Sequence, residues 1–273
     1  MNAMKKCIAL LLSAVLLCSG ALALAEGTLR VGMECDYAPY NWTQAEPSDE
    51  AVAIAAGGYA DGYDVRIAKR VAEALGMELE IVKTEWDGLV PSLTSGMIDC
   101  IIAGMSPTEE RKATIDFSDP YYEDEVVMCI VVRKDGAYAG ATSLADFAGA
   151  KITGQLNTFH YGLVDQVPDV QKQTAMPDFP AMITALSAGA IDGYISELPG
   201  AVSATSTNPD LTYVTFEEGN GFALDPGDVA IAVGIDKKNS ELTEKINAAL
   251  AGISNEERGA IMEAVMAVAP TAE

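Results

Sequence analysis

The chain has 273 residues, with 17 Lys and Arg against 40 Asp and Glu, a formal charge of −23. That excess of negative charge repels nucleic acid and anionic membrane surfaces, so neither is expected as a partner. One histidine, and five cysteines with no C-x-x-C pair, argue against a metal centre, and no cofactor is expected. The length allows one or two domains with a sizeable core.

Met1 to Ala25 reads as a secretion signal. Lys5 and Lys6 precede the apolar run Cys7 to Leu17, and Ala23-Leu24-Ala25 forms a small-x-small cleavage site. The run is too short to anchor the chain in a membrane. Cleavage before Glu26 is expected. Lipidation of Cys18 is the alternative, although Leu17 before it is bulky where a lipoprotein signal places a small residue. Cleavage removes two lysines and takes the formal charge to −25. It also leaves Cys35, Cys100 and Cys129, an odd set with no disulfide framework.

Leu29 to Met33 reads as a first strand, and Glu34 to Tyr40 as the loop at its carboxyl end. Ligands of open α/β sheets bind beyond such ends. Of Tyr37 and Tyr40, one is expected to line a pocket and the other to pack behind it. Asn41-Trp42-Thr43 fits a glycosylation sequon, to which a bacterial-style signal gives little weight. Gln44 to Ala60 has no clear period and reads as an exposed insertion. A helix then carries Ile67, Val71 and Leu75 on one face and stops at Gly76. Leu79 to Val82 is a second strand. Trp86 follows it, ahead of a helix ending at Gly96.

Asp99 to Arg111 is the centre of the chain. A short apolar run ends at Gly104. Ser106, Pro107 and Thr108-Glu109-Glu110 then start a helix with Arg111 in its first turns. A strand end, free backbone N–H groups and a guanidinium converge there, an arrangement that suits a carboxylate. The alternative is that Arg111 pairs with a surface acid.

The spacing of Leu93, Gly96, Ile98 and Asp99 recurs at Leu186, Gly189, Ile191 and Asp192. Each copy is a helix end, a glycine stop and a buried strand, which favours two lobes facing one cleft. The second lobe reads as a short helix at Ser143 to Phe147, a strand at Lys151 to Thr153, and a turn leading to a helix that starts at Thr158. That helix's N-terminus can donate N–H groups to an anion. His160 reads as a rim or helix-surface residue rather than a catalytic base. Asp178-Phe179-Pro180 starts another helix. Phe216 to Gly221 reads as the return crossing, Val229 to Ile235 as a strand, and Glu241 to Leu250 and Asn255 to Val268 as the closing helices.

Several of these stretches resemble one family, the family 3 extracellular solute-binding proteins, polar amino-acid-binding proteins that serve ABC importers. Gly104 to Arg111 resembles its G-x-S-x-T-x-x-R segment, and Gly32 to Tyr40 its G-x-[DE]-x-x-Y-x-P-[FY]. Asp116 to Tyr122 resembles the segment before the chain leaves its first lobe. Gly154 to Thr158 resembles its G-x-x-T/S turn, with Leu156 where relatives often have glycine, and Glu197 occupies its acidic position. The similarity runs from about Leu29 to near the C-terminus.

The resemblance implies an α/β, two-lobed type II periplasmic-binding-protein-like fold with two crossings. Residues 1–25 would be the signal, 26–125 the first part of lobe 1, 126–221 lobe 2, and 222–273 the return segment, with the first crossing near Glu125. It implies a monomer that carries a free amino acid to the permease subunits of an ABC transporter and is not an enzyme. Arg111 and backbone N–H groups near Ser106 and Thr158 would take the carboxylate. Glu197, the Ser106 hydroxyl and the Gly104 carbonyl would take the ammonium. Tyr37 and Trp86 would sandwich the side chain, with Glu34 at its far end and Phe159 opposite. Ala103 and Gly154 would complete the contacts. Glu34 favours a polar, uncharged or basic ligand. The alternatives are a cyclohexadienyl-dehydratase-like enzyme on the same fold and a ligand-sensing module.

Overall fold

The computed structural model describes residues 27–122, 127–225 and 229–270. The secretion signal, Cys18 and the crossing expected near Glu125 lie outside the described residues.

Apolar residues buried on both faces produce the central strands. β1 (Thr28–Met33) buries Leu29, Val31 and Met33 completely on one face, while every residue of the strands Gly193–Glu197 and Ile231–Ile235 is buried, the pattern of strands covered on both sides. β1 is followed by β2 (Asp36–Tyr37), β3 (Asn41–Gln44), β4 (Val52–Ala53) and β5 (Tyr59–Asp61). Then come α1 (Tyr63–Leu75), β6 (Glu78–Lys83), α2 (Trp86–Thr94), β7 (Cys100–Ile101), α3 (Glu109–Thr114) and β8 (Asp116–Tyr122). The next group is β9 (Met128–Arg133), β10 (Lys151–Thr153), α4 (Phe159–Leu163), β11 (Gln171–Lys172), α5 (Phe179–Ser187), β12 (Gly193–Glu197), α6 (Leu198–Thr207) and β13 (Leu211–Val214). β14 (Ile231–Ile235), α7 (Ser240–Ala251) and α8 (Asn255–Val268) close the chain.

These strands form two five-stranded sheets, ordered β6-β1-β7-β14-β8 and β11-β10-β12-β9-β13. In each, three parallel strands are followed by an antiparallel one in fourth place, β14 in the first and β9 in the second. β14 therefore rejoins the first sheet after the whole second sheet has formed, and the molecule has two lobes.

The repeated Leu–Gly–Ile–Asp unit makes the same aspartate-to-backbone bond in both. Asp99 Oδ2 accepts the Arg30 backbone N–H at 2.9 Å, and Asp192 Oδ2 accepts that of Lys151 at 2.9 Å. An arginine ties each unit to its sheet: Arg30 donates to the Gly96 and Met97 carbonyls, and Arg133 to those of Leu186 and Ile191.

Two stretches differ from their expected structure. Gln44 to Ala60 is not free of the sheet. Its first residue closes β3, its middle forms β4 and its end enters β5, in a small sheet ordered β2-β3-β5-β4, which fastens the loop carrying Tyr37. Backbone pairing, not a sequence period, reveals this, because the strands are two to four residues long. Phe216 to Gly221 stays with the second lobe, where Phe216 meets Phe147 and Phe222 edge-on and Asn220 O accepts the Leu144 N–H. Leu224 still packs against the second lobe's core, and Ile231 opens β14 in the first sheet.

Candidate ligand-binding cleft

The cleft forms where strand ends of the two sheets face each other. On the first lobe, β7 runs out into Ile102, Ala103 and Gly104. Gly104 has φ +61°, and a Cβ there would stand 3.2 Å from the Tyr37 ring, so glycine keeps bare backbone at the cleft floor. A buried chain of hydrogen bonds holds this loop. The Gly104 N–H donates to the Tyr121 hydroxyl at 3.2 Å, which donates to Asp64 at 2.7 Å. Asn41 donates to the same carboxylate at 2.7 Å and accepts the Cys35 N–H. Burial pushes the Asp64 carboxyl up to about 6 despite these donors. Asn41 is fully buried, which removes it as a glycosylation site.

Arg111 rises from the first turn of α3, whose N-cap Thr108 accepts the Arg111 backbone N–H at 3.4 Å. Its guanidinium lies 5.0 Å over the Trp86 ring. It donates to the Ser106 carbonyl at 2.8 Å and, across the cleft, to the Asn157 carbonyl at 2.8 Å. Tyr37 stacks flat on Phe179 of the second lobe, centroids 4.3 Å apart, with Tyr40 packed behind it at 4.9 Å. One face of each expected sandwiching ring is thus taken, Trp86 by Arg111 and Tyr37 by Phe179.

Glu34 and Glu197 sit at different depths. Glu34 Oε1 accepts one hydrogen bond, from Gln155 Nε2 at 2.9 Å, and its Oε2 is buried without a partner. Burial, with Asp178, Asp36 and Glu85 nearby, pushes its carboxyl up to about 8 against the opposing pull of Gln155. Glu197, at the end of β12, accepts from the Tyr37 hydroxyl at 2.5 Å and lies 3.2 Å from His160 Nε2. Burial alone would raise it, but the His160 imidazole and the Tyr37 and Tyr40 hydroxyls outweigh that and hold it below the usual range.

Nine of the expected contact residues line one small cavity: Glu34, Tyr37, Trp86, Ala103, Gly104, Ser106 and Arg111 from the first lobe, Thr158 and Phe159 from the second. Gly154 and Glu197 do not line it. Gly154 lies under α4, where a Cβ would meet the Tyr161 backbone nitrogen at 2.8 Å, so this glycine serves helix packing. Glu197 is one layer deeper, behind Tyr37 and His160. Two lining residues were not anticipated, Gln155 and His160. His160 is not at the rim: it is 5% exposed, and its Nδ1 is also unpartnered. A buried acid at a strand end requires a partner, and the chain's single histidine was the signal available for it.

The cavity holds about 10 Å³, room for roughly one water molecule. Beside it, a wider cavity of about 630 Å³ opens between Trp86, Met105 and Glu110 on one lobe and Leu156, Tyr161 and Gly162 on the other. Asn157 donates to Asp87 across the same gap at 2.9 Å.

Residues 29–264 match the profile of the bacterial extracellular solute-binding proteins, family 3. The chain belongs to that family. It is 30% identical to a probable histidine-binding protein of Campylobacter jejuni over 72% of this chain and 71% of that one. It is 29% identical to the ABC transporter arginine-binding protein 1 of Escherichia coli over 85% of this chain and 87% of the relative. A substrate-binding protein of an amino acid ABC transporter from Streptococcus pneumoniae, solved with L-arginine, superposes with a TM-score of 0.75 at 28% identity, covering 89% and 95% of the two chains. This family member therefore has the two-lobed type II periplasmic-binding fold expected above, and these relatives are named as binding proteins, not enzymes. Among the described residues no helix is long and apolar enough to cross a membrane, and no cluster of His, Cys, Asp and Glu is arranged to hold a metal ion.

Proposed function

We propose that this protein captures a free amino acid, polar or basic, outside the cytoplasmic membrane and delivers it to the permease of an ABC transporter. The observation that carries this reading is the set of hydrogen bonds crossing the cleft. Tyr37 to Glu197, Gln155 to Glu34 and Arg111 to the Asn157 carbonyl each join one lobe to the other. Separation of the lobes breaks all three and frees an anion, an acid and a guanidinium at one place. A zwitterion supplies a matching partner for the first and third. Its carboxylate takes Arg111, with N–H groups near Ser106 and Thr158. Its ammonium takes the Glu197 oxygen released by Tyr37, with the Ser106 hydroxyl and the Gly104 carbonyl. A 10 Å³ cavity is smaller than any amino acid, so entry requires opening, and closure follows because the ligand touches both lobes.

The arginine and histidine named for the relatives, and the acid Glu34 beside the aromatic Trp86, favour a basic or amide side chain. The protein acts as a monomer, released by cleavage before Glu26; intact mass of the secreted product checks this, since a diacylated chain starting at Cys18 would mean a membrane anchor. A thermal-shift screen against the common amino acids tests the function, because a ligand that binds only the folded state raises its melting temperature. Arg111→Ala should then weaken the responding ligand by about 3 kcal/mol, as its buried carboxylate loses a two-pronged partner. Unchanged affinity by calorimetry would move the carboxylate site elsewhere.

One observation favours a second reading. His160, Glu197 and Tyr37 form a linked proton-carrying chain beside the Arg111 clamp, the equipment for general acid–base chemistry on a carboxylic acid. Turnover of a prephenate-like acid by the purified protein would establish it. Its absence, with tight amino-acid binding, leaves the transport role.

A further inference from the structure

The amino-acid-binding reading leaves one feature of the cleft unexplained. Glu34 is 5% exposed, has a single hydrogen bond, and that bond comes from a neutral amide. Its second oxygen is buried, unpartnered and in a residue that lines the cavity. The charged groups around it are of its own sign from three directions: Asp36 from β2, Glu85 ahead of α2, and Asp178 capping α5. Lys83 is occupied by Asp36 at 2.8 Å. The other charged and titratable groups of the cavity wall have partners of their own: Arg111 is held by two carbonyls, and His160 faces Glu197. A carboxylate enclosed in this way, with one neutral donor and three anions near it, is strongly disfavoured, whereas a carboxylic acid fits without strain.

The two side-chain classes that suit the cleft make opposite demands on this group. A cationic side chain provides the counterion that lets Glu34 ionise. An amide side chain provides none. Its carbonyl can instead accept a hydrogen bond from the acid O–H on the unpartnered oxygen.

We propose that Glu34 sets ligand choice through its own proton: enclosed with a cationic side chain it is ionised, enclosed with an uncharged one it is protonated, so the preference between basic and amide amino acids depends on pH. This rests on the reading of the cleft as an amino-acid site. It does not depend on whether the ligand-free lobes are open or closed, since only the two bound states are compared. The sign follows from proton counting. The complex with an amide ligand holds one more proton than the complex with a cationic ligand, so raising pH favours the cationic one. Burial already holds the enclosed carboxyl near 8, which places the effect in the neutral range. Below about pH 8 the affinity ratio should change by about tenfold per pH unit.

The test is calorimetry with L-arginine and L-glutamine on the wild-type protein and on Glu34→Gln, at several pH values between 6 and 8. Each titration is repeated in two buffers of different ionisation enthalpy. For the wild type, the arginine-to-glutamine affinity ratio should climb about tenfold per pH unit, and the protons exchanged with the two ligands should differ by about one at pH 7. Glu34→Gln should flatten the ratio, weaken arginine by more than tenfold and leave glutamine within a few-fold, the retained glutamine binding showing that the variant is folded. A wild-type ratio that does not move with pH would overturn the proposal while leaving amino-acid binding intact. A slope that survives in Glu34→Gln would also overturn it and assign the proton to another group, His160 first. Failure of the wild type to bind any amino acid would overturn both this proposal and the reading beneath it.

Discussion

Glu34 and Glu197 are equally buried, at 5% exposure each, and their carboxyls are driven in opposite directions. Glu34 stands at the end of β1 with a neutral amide for its only partner and anions around it. Glu197 stands at the end of β12 with an imidazole, two phenols and the start of α6 around it. Burial costs the charged form in both places. What differs is the supply of donors, which exceeds that cost at Glu197 and falls short at Glu34. One end of the cleft thus carries a fixed anion, suited to a ligand group that is always an ammonium. The other carries an acid whose charge follows its surroundings, suited to the part of an amino acid that varies.

Breaking the well-supplied end should have the largest effect. Glu197→Ala leaves His160 and the Tyr37 hydroxyl buried without their acceptor and should cost on the order of 3 kcal/mol of folding stability, read by denaturant unfolding. A loss under about 1 kcal/mol would mean that the site relaxes and that the network stores little. His160→Ala comes next, at about 2 kcal/mol, since Glu197 keeps the Tyr37 hydroxyl but loses the imidazole beside it. It carries a pH signature. Glu197 is held below its unfolded value, so its contribution is present above about pH 4.5 and is lost as pH falls through the lower folded value. Without His160 that loss should begin at higher pH, visible as an acid-unfolding midpoint shifted upward. An unmoved midpoint would show that His160 does not sustain the charge.

The poorly supplied end should respond least in acid and with the opposite sign of slope. Glu34 is raised from 4.5 to about 8, so its contribution is fully present below pH 4.5 and is lost as pH rises through 8. Asp64, raised to about 6, adds a similar fall over a lower window. Glu34→Gln should leave stability within about 1 kcal/mol below pH 4.5, where the acid is protonated folded and unfolded alike, and should be stabilising at pH 7, because the variant does not share the wild type's loss. Melting curves between pH 6 and 9 should fall for the wild type and be flatter for the variant. Parallel curves would mean that Glu34 is ionised in the folded protein without cost.

Much of the frame was legible in the chain. Asn255–Val268 was read to the residue, because Ser254 caps its start and Ile261 and Val265 mark one face. α1 stops at Gly76 in the left-handed conformation, as a C-terminal glycine predicts. Thr108 and Asp178 cap their helices as their residue types suggest. The repeated Leu–Gly–Ile–Asp spacing corresponds to two units with the same aspartate-to-backbone bond. The short strands β4 and β5 were not legible, since two or three residues cannot display a period. Phe216 to Gly221, kept within lobe 2, was also read as the return crossing for a related reason. Glycine and acids there suggest a crossing, while the Phe216 ring's packing on Phe147 depends on a residue about seventy positions away.

The sequence by itself determined which residue types stand at the strand ends and in the helix after β7: a glycine at 104, an arginine at 111, and glutamates at 34 and 197. Local chemistry is enough for that, because turns, caps and buried strands are written in neighbouring residues. Only the tertiary structure decided what those residues have for company. Gln155 reaches Glu34 from 121 positions away, and Tyr37 reaches Glu197 from 160. No local pattern encodes such pairings, and a buried acid's charge depends on the donors and charges the fold brings to it rather than on its place in the chain.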